Sequence, residues 1–121
     1  MLTRKLEGDA IVFYNGASHV LTIHETENDT GVLMALDGEL RSDVAHELLD
    51  ELTALATVGV KVVVDFEKVT FITSTILDVF LTVQQTMDSM GKGTLLLTKM
   101  PAEILQKFEK TGTAELLMIE E

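Results

Sequence analysis

The stretch at residues 60–90 constrains the fold more than any other part of the chain. It begins with an apolar block, VKVVV at residues 60–64, which ends at Asp65 and is followed by a short connector at residues 66–69. After TFI at residues 70–72 and the hydroxyl run TST at residues 73–75, apolar residues recur three or four positions apart as far as residue 90. This change of period predicts a buried strand, a polar corner and then a helix.

Strands and helices are predicted to alternate along the rest of the chain. Residues 1–9 are polar and are expected to be loose, whereas strands are predicted at 10–14, 19–25, 31–36 and 94–98. A helix is expected to start with Ser42 as its N-cap and to end at Gly59, and another to start near Pro101 and end at Gly112. Residues 114–119 form a last strand or a short helix. This order predicts an α/β domain whose sheet is covered by helices and is partly parallel.

The charge of the chain restricts its partners. Its 20 acidic residues against 9 basic ones give a net charge of −11, which argues against a nucleic-acid surface and against an anionic membrane surface. No apolar run reaches the roughly 18 residues needed to span a bilayer, and residues 1–9 do not resemble a signal peptide. We therefore expect a cytoplasmic protein that does not insert into membranes and binds protein partners.

The sequence offers no arrangement typical of an active site. The three histidines, His19, His24 and His46, lack the spacing of a metal site, and there is no cysteine to join them. The glycines at 91 and 93 precede a strand, which is the wrong order for a phosphate-binding loop. No nucleophile can be matched with a base. The sequence therefore predicts no catalytic residues, no metal, no cofactor and no enzymatic activity.

The corner at residues 73–75 has two interpretations. Hydroxyl side chains at a helix start commonly cap free backbone N–H groups, and Thr75 with Asp78 matches a capping box. The other interpretation is a switch, because a helix N-terminus tolerates an added phosphate while a partner lying across it would meet new charge. Spacing alone does not decide between the two.

Three segments, in order, carry a resemblance to a known family. They are LDGEL at residues 36–40 with the helix that follows, VVVDF and VTFI within residues 62–72, and TSTIL at residues 73–77. The chain resembles the STAS family, the domain of anti-sigma factor antagonists and of sulfate-transporter tails, over residues 19–121. The resemblance implies a single α/β domain with a mixed sheet of four to five strands and helices mainly on one side. Residues 1–18 would be an N-terminal extension or an extra strand, where self-association into a homodimer could occur.

The resemblance also implies a function, which is partner switching controlled by serine phosphorylation. In that scheme the unphosphorylated protein binds a serine switch kinase or an anti-sigma factor, phosphorylation abolishes binding, and a serine phosphatase resets the protein. Ser74 falls on the phosphoacceptor position, with Thr75 as the second choice. The partner-binding residues are expected to be Asp65, Thr73, Ser74, Thr75 and Asp78.

The chain departs from the family pattern at the corner, and this keeps other functions open. Thr73 replaces the aspartate before the serine, Ile76 and Asp78 replace two glycines, and Arg41 stands where many members carry an acid. The chain is therefore a divergent antagonist, or a phosphorylation-independent scaffold or accessory subunit of a larger complex or transporter. A third alternative is a carrier of a small apolar ligand, whose pocket would be lined by Met34, Met87, Met90, Met100 and Met118.

Overall fold

The computed structural model describes residues 2–120, in which seven strands and three α-helices follow one another. The strands are β1 (Leu2–Glu7), β2 (Ala10–Asn15), β3 (Ser18–Asn28), β4 (Gly31–Leu40), β5 (Lys61–Ile72), β6 (Thr94–Thr98) and β7 (Met118–Glu120). The helices are α1 (Ala45–Val58), α2 (Ser74–Met90) and α3 (Ala102–Lys110). Short 3₁₀ turns at Ser42–Val44 and Thr113–Leu116 precede α1 and β7.

All seven strands form one mixed sheet, in which the spatial order is the order along the chain. β1 to β4 pair antiparallel, and β4 to β7 pair parallel. Each parallel connection contains one helix, as such crossovers require. The prediction of a single α/β domain with a partly parallel sheet is therefore confirmed.

The sheet has seven strands rather than the four to five predicted. β1 is an edge strand whose side chains are almost all exposed, so its sequence lacks the apolar alternation that marks a strand. Its residues pair in register with β2 from Leu2 opposite Asn15 to Glu7 opposite Ala10. The expectation that residues 1–9 are loose was therefore wrong, because backbone pairing at an edge does not need buried side chains. Met1 itself lies outside the described residues.

The helices pack on one face of the sheet, and aromatic rings fill the centre of that layer. Along β5, Val62, Val64 and Phe66 are buried, whereas the alternate residues are only half-buried. Phe66 lies 5.4 Å from Phe80 of α2 and 6.1 Å from Phe108 of α3, measured between ring centroids. These distances suit favourable aromatic packing, so α2 and α3 are fixed against the same strand.

β5 continues through residues 66–69, which were predicted to form a connector. Its pairing with β6 stops where Asp65 faces Thr98, but its pairing with β4 continues to Ile72. The register against β4 shifts twice along the way, and an Asp65 carboxylate oxygen accepts the Glu67 backbone N–H at 2.8 Å. The predicted connector is thus an irregular stretch of strand, whose polar residues reflect the loss of one neighbouring strand.

The predicted ends of α1 and α2 and the predicted start of α3 near Pro101 are confirmed, whereas the cap predicted for α1 is not. Gly59 and Gly91 follow α1 and α2 in left-handed conformations, and both donate to a carbonyl of the last turn. Ser42, however, opens a 3₁₀ turn and makes no side-chain cap, so that prediction was wrong. None of the helices within residues 2–120 is long and apolar enough to cross a membrane.

Candidate functional site: the corner between β5 and α2

The corner between β5 and α2 is attached to the end of β4. The backbone N–H of Thr73 donates to the Leu40 carbonyl at 3.1 Å, and the Thr73 carbonyl accepts the first helical bond from Ile76 at 3.1 Å. Thr73 is extended, and helical geometry starts at Ser74. The corner is therefore held by backbone bonds on both sides, which gives its side chains a defined direction.

The hydroxyl groups of the corner do not cap α2 as the sequence predicted. Thr73, the N-cap residue, makes no side-chain cap bond, and the expected capping box of Thr75 with Asp78 does not form. Both threonine hydroxyls instead lie 3.4 Å from the hydroxyl oxygen of Ser42, whose single proton serves one of them at a time. Ser42 thus ties the start of α1 to the corner.

Ser74 differs from both of its neighbours. Its side chain is exposed, and its hydroxyl makes no hydrogen bond with another group within residues 2–120. Successive residues of an α-helix point about 100° apart, so Ser74 and Thr75 face different sides of α2. The hydroxyl that the resemblance assigns to the phosphoacceptor is therefore the free one.

Ser74 lines a cleft of about 370 Å³ between the corner and α3, which we call the corner cleft. Its apolar wall contains Phe71, of which 42% is exposed, and Leu77. Its polar rim contains Lys107 and Lys110 of α3. An apolar floor with a few polar groups at its edge is the usual composition of a small binding site.

Lys107 is oriented by two contacts with the end of β5. Its amine donates to the Ile72 carbonyl at 2.8 Å and lies 4.7 Å from the centre of the Phe71 ring, a cation–π distance. Neither Lys107 nor Lys110 has a carboxylate within 4 Å among the described residues, although acidic residues outnumber basic ones by 20 to 9. The corner cleft is therefore locally positive in a negative protein.

Thr75 and Asp78 lie on the other side of α2. They line a shallow groove against α1 together with His46 and Leu49. Both Thr75 and Asp78 are exposed, so this side of the corner is polar and accessible. The predicted partner-binding residues at the corner thus fall into two groups, with Thr73 and Ser74 in the corner cleft and Thr75 and Asp78 in this groove.

Asp65 lies away from the corner. Its neighbours in β4 and β6 are Ala35 and Thr98, and one of its oxygens lies 3.8 Å from the Lys99 amine. The step of five residues along β4 from Ala35 to Leu40 places it about 16 Å along the strand from the corner. It lines a separate depression beside His24 and Lys68. The structure therefore does not bring Asp65 together with Ser74.

Four contributors to the corner were not identified from the sequence as site residues, namely Ser42, Phe71, Lys107 and Lys110. Lys107 contacts a residue 35 positions away, and Ser42 contacts residues 31 and 33 positions away. Phe71 was noted only as part of a motif. The spacing of Lys107 and Lys110, three apart on one helix face, is the one local signal that could have suggested a shared function.

The histidines do not assemble with acids into a metal site. His46 is exposed and pairs with Asp50, one turn along α1, at 3.3 Å. Within residues 2–120 no group of three histidine or acidic side chains is arranged to hold a metal ion.

Comparisons with known proteins find the same fold in solved structures. Three solved structures share the fold at 15–19% identity. A Thermotoga maritima protein assigned as an anti-sigma factor antagonist is 19% identical with a TM-score of 0.74, covering 82% of this chain and 86% of its own. The anti-sigma factor antagonist SpoIIAA in its unphosphorylated form is 15% identical with a TM-score of 0.68, over 82% and 88%. The phosphorylated form of SpoIIAA, a Bacillus cell fate determinant, is 15% identical with a TM-score of 0.62, covering 82% of this chain and 91% of its own.

The sequence itself gives the family. No curated protein sequence matches the chain significantly. The family model described as "Mlab, STAS domain", however, matches residues 23–120, which include the corner, the corner cleft and all three helices. The chain therefore belongs to the STAS domain family.

Proposed function

We propose that the chain is a non-enzymatic binding module that switches between protein partners, and that phosphorylation of Ser74 controls the switch. The observation that carries this proposal is the free, exposed hydroxyl of Ser74 beside a cleft with an apolar wall. Its two neighbouring hydroxyls are engaged by Ser42. An anti-sigma factor antagonist of the same fold is known in phosphorylated and unphosphorylated forms, which supports control by phosphorylation.

The chemistry of the switch needs a kinase and a phosphatase as partners. The kinase transfers the γ-phosphoryl group of a nucleoside triphosphate to the Ser74 oxygen, whose proton leaves, and nucleoside diphosphate is released. The phosphatase hydrolyses the ester with water and returns serine and inorganic phosphate. The phosphate adds about −1.5 to −2 charges at the centre of the binding surface. A partner covering the corner would then have to bury that charge, and binding would be lost.

The test compares variants that separate charge from size. The tagged chain is recovered from its own cells, the protein bound to it is purified, and the pair is titrated by calorimetry. Ser74→Asp is expected to weaken binding at least about tenfold, whereas the uncharged Ser74→Asn is expected to stay near wild type. Ser89→Asp is the matched control, because Ser89 is an exposed serine at the opposite end of the same helix. Equal affinity of wild type and Ser74→Asp would refute the proposal.

A second candidate is a scaffold or accessory subunit that binds without phosphorylation. Asp78 favours it, because this exposed carboxylate lies one turn along α2 from Ser74 and would repel a phosphate there. In this case, residue-level mass mapping of the chain purified from stimulated cells would find Ser74 unmodified in a stable complex. Phosphate on Ser74, with a kinase or phosphatase in the same preparation, would exclude the scaffold.

A further inference from the structure

We infer that a phosphate on Ser74 is held within the chain by Lys107 and Lys110, so that phosphorylation closes the corner cleft with an internal ion pair. The inference rests on the proposed function, since it concerns what the phosphate does once it has been attached. In this arrangement, two lysines of α3 bind the phosphate that is attached to α2. The corner cleft would then be open in one state and filled by its own phosphoserine in the other.

Ser74, Lys107 and Lys110 line one cleft. The Lys107 amine already lies 2.8 Å from the carbonyl of Ile72, which is only two residues before Ser74. A phosphate lengthens the Ser74 side chain within the same cleft, and the flexible Lys107 side chain is expected to reach it by a change of torsions.

Neither lysine has a carboxylate within 4 Å among residues 2–120, so a phosphate need not displace an existing ion pair. What it displaces from Lys107 is a bond to a neutral carbonyl, and charge-assisted bonds to phosphate are stronger than such bonds. Arg41, which directly follows β4, already pairs with Asp43 at 3.3 Å. Asp78 is the opposing charge, and it acts from one turn along α2.

The surface around the cleft would differ between the two phosphorylation states. With Lys107 on its carbonyl, its stem and the Phe71 ring form an apolar edge beside Leu77. If Lys107 turns to the phosphate, that edge breaks up and the cleft contains a closed ion pair. Phosphorylation would thus alter the surface in two ways, by adding charge and by rearranging the groups around the cleft.

The test measures the second pKa of the phosphate and needs neither partner nor kinase. Phosphoserine is incorporated at position 74 during translation, and the phosphorus NMR shift is followed from pH 4 to 8. Nearby cations favour the dianion, so the pKa is expected below the ordinary value of about 6. The double variant Lys107→Met, Lys110→Met is expected to raise it by roughly 0.5 to 1 unit, the range for two exposed ion pairs.

Two controls make the result specific. Lys92→Met removes the same charge beyond the far end of α2, about 25 Å away, and is expected to leave the pKa unchanged. Lys107→Arg keeps the charge and is expected to preserve the wild-type value. The single variant Lys110→Met, whose side chain makes no bond in the described structure, remains usable if loss of the Lys107 contact disturbs folding. No shift in the lysine variants, or a shift equal to that of Lys92→Met, would overturn the inference.

The outcome is independent of the test of function. A chain in which Ser74→Asp still binds its partner would refute the switch while leaving the lowered pKa standing. Conversely, an unaltered phosphate pKa would remove the internal ion pair while leaving partner release by Ser74→Asp intact.

Discussion

Replacing Gly38 with alanine is expected to destabilise the fold by about 4 kcal/mol. Gly38 lies in β4 between two register shifts against β5, at φ 130°, where side chains are rarely found. A Cβ atom there would be 2.4 Å from the Val20 carbonyl oxygen and 3.3 Å from the Leu21 Cα. Both contacts are with backbone of the paired strand, so no side chain can turn away to make room. The backbone strain costs about 1–3 kcal/mol and the overpacking about 1–3 kcal/mol.

Gly91→Ala is the matched control for this prediction. Gly91 is also left-handed, at φ 67°, but a Cβ atom there would meet nothing within 4 Å. It should therefore lose only the conformational term of about 1–2 kcal/mol. The difference between the two variants contains the clash between β4 and β3 and the extra backbone strain at φ 130°. Urea unfolding followed by circular dichroism measures both, with an unchanged m value as the condition for comparison. If Gly38→Ala is no more destabilising than Gly91→Ala, the reasoning from the Cβ contact fails.

The fold carries two further predictions. Phe80→Ala should cost about 3–5 kcal/mol in chemical unfolding, because it opens a cavity between Phe66 and Phe108, and a loss below about 1 kcal/mol would contradict the packing described. Burial is the main cause, and the Glu51 carboxylate the second, of a pKa of Glu25 above its ordinary value of 4.5. The protonated Glu25 therefore stabilises the fold below pH 4.5, and this stabilisation is lost as the pH rises through the folded-state pKa. Glu25→Gln should therefore raise stability at pH 7 and flatten its decline above pH 4.5; an unchanged pH profile of urea unfolding would refute this.

The elements that were predicted correctly are those whose apolar pattern is local. The apolar stripe of α2 was recognisable in the sequence because its residues are buried, namely Ile76, Leu77, Phe80, Val83 and Met87. The blocks that became β5 and β6 were recognisable because helices cover one face of each strand, while the other face is still half-buried. Local pattern is sufficient where burial alone selects the residue types.

The failures have one physical origin, which is that pairing or contact with another element decides the structure, and the apolar pattern of the segment itself does not record it. β1 is specified by backbone pairing with β2, so its side chains carry no pattern. The second half of β5 has only β4 beside it, and its polar residues therefore resembled a connector. Ser42 was expected to cap its own helix, but its hydroxyl faces two threonines more than 30 residues away. A serine at a helix start is compatible with either role.

The motif of the corner was visible in sequence, but its division into two sides was not. Ser74 faces the cleft with Lys107 and Lys110, whereas Thr75 faces the groove with Asp78 and His46. A phosphate on Thr75 would therefore lie near a carboxylate and away from the lysines, and it would also disrupt the contact with Ser42. Asp78 lies within one turn of both residues, so the two positions differ in their nearness to the lysines and in the Ser42 contact. These two differences favour Ser74 over Thr75 in the proposed switch.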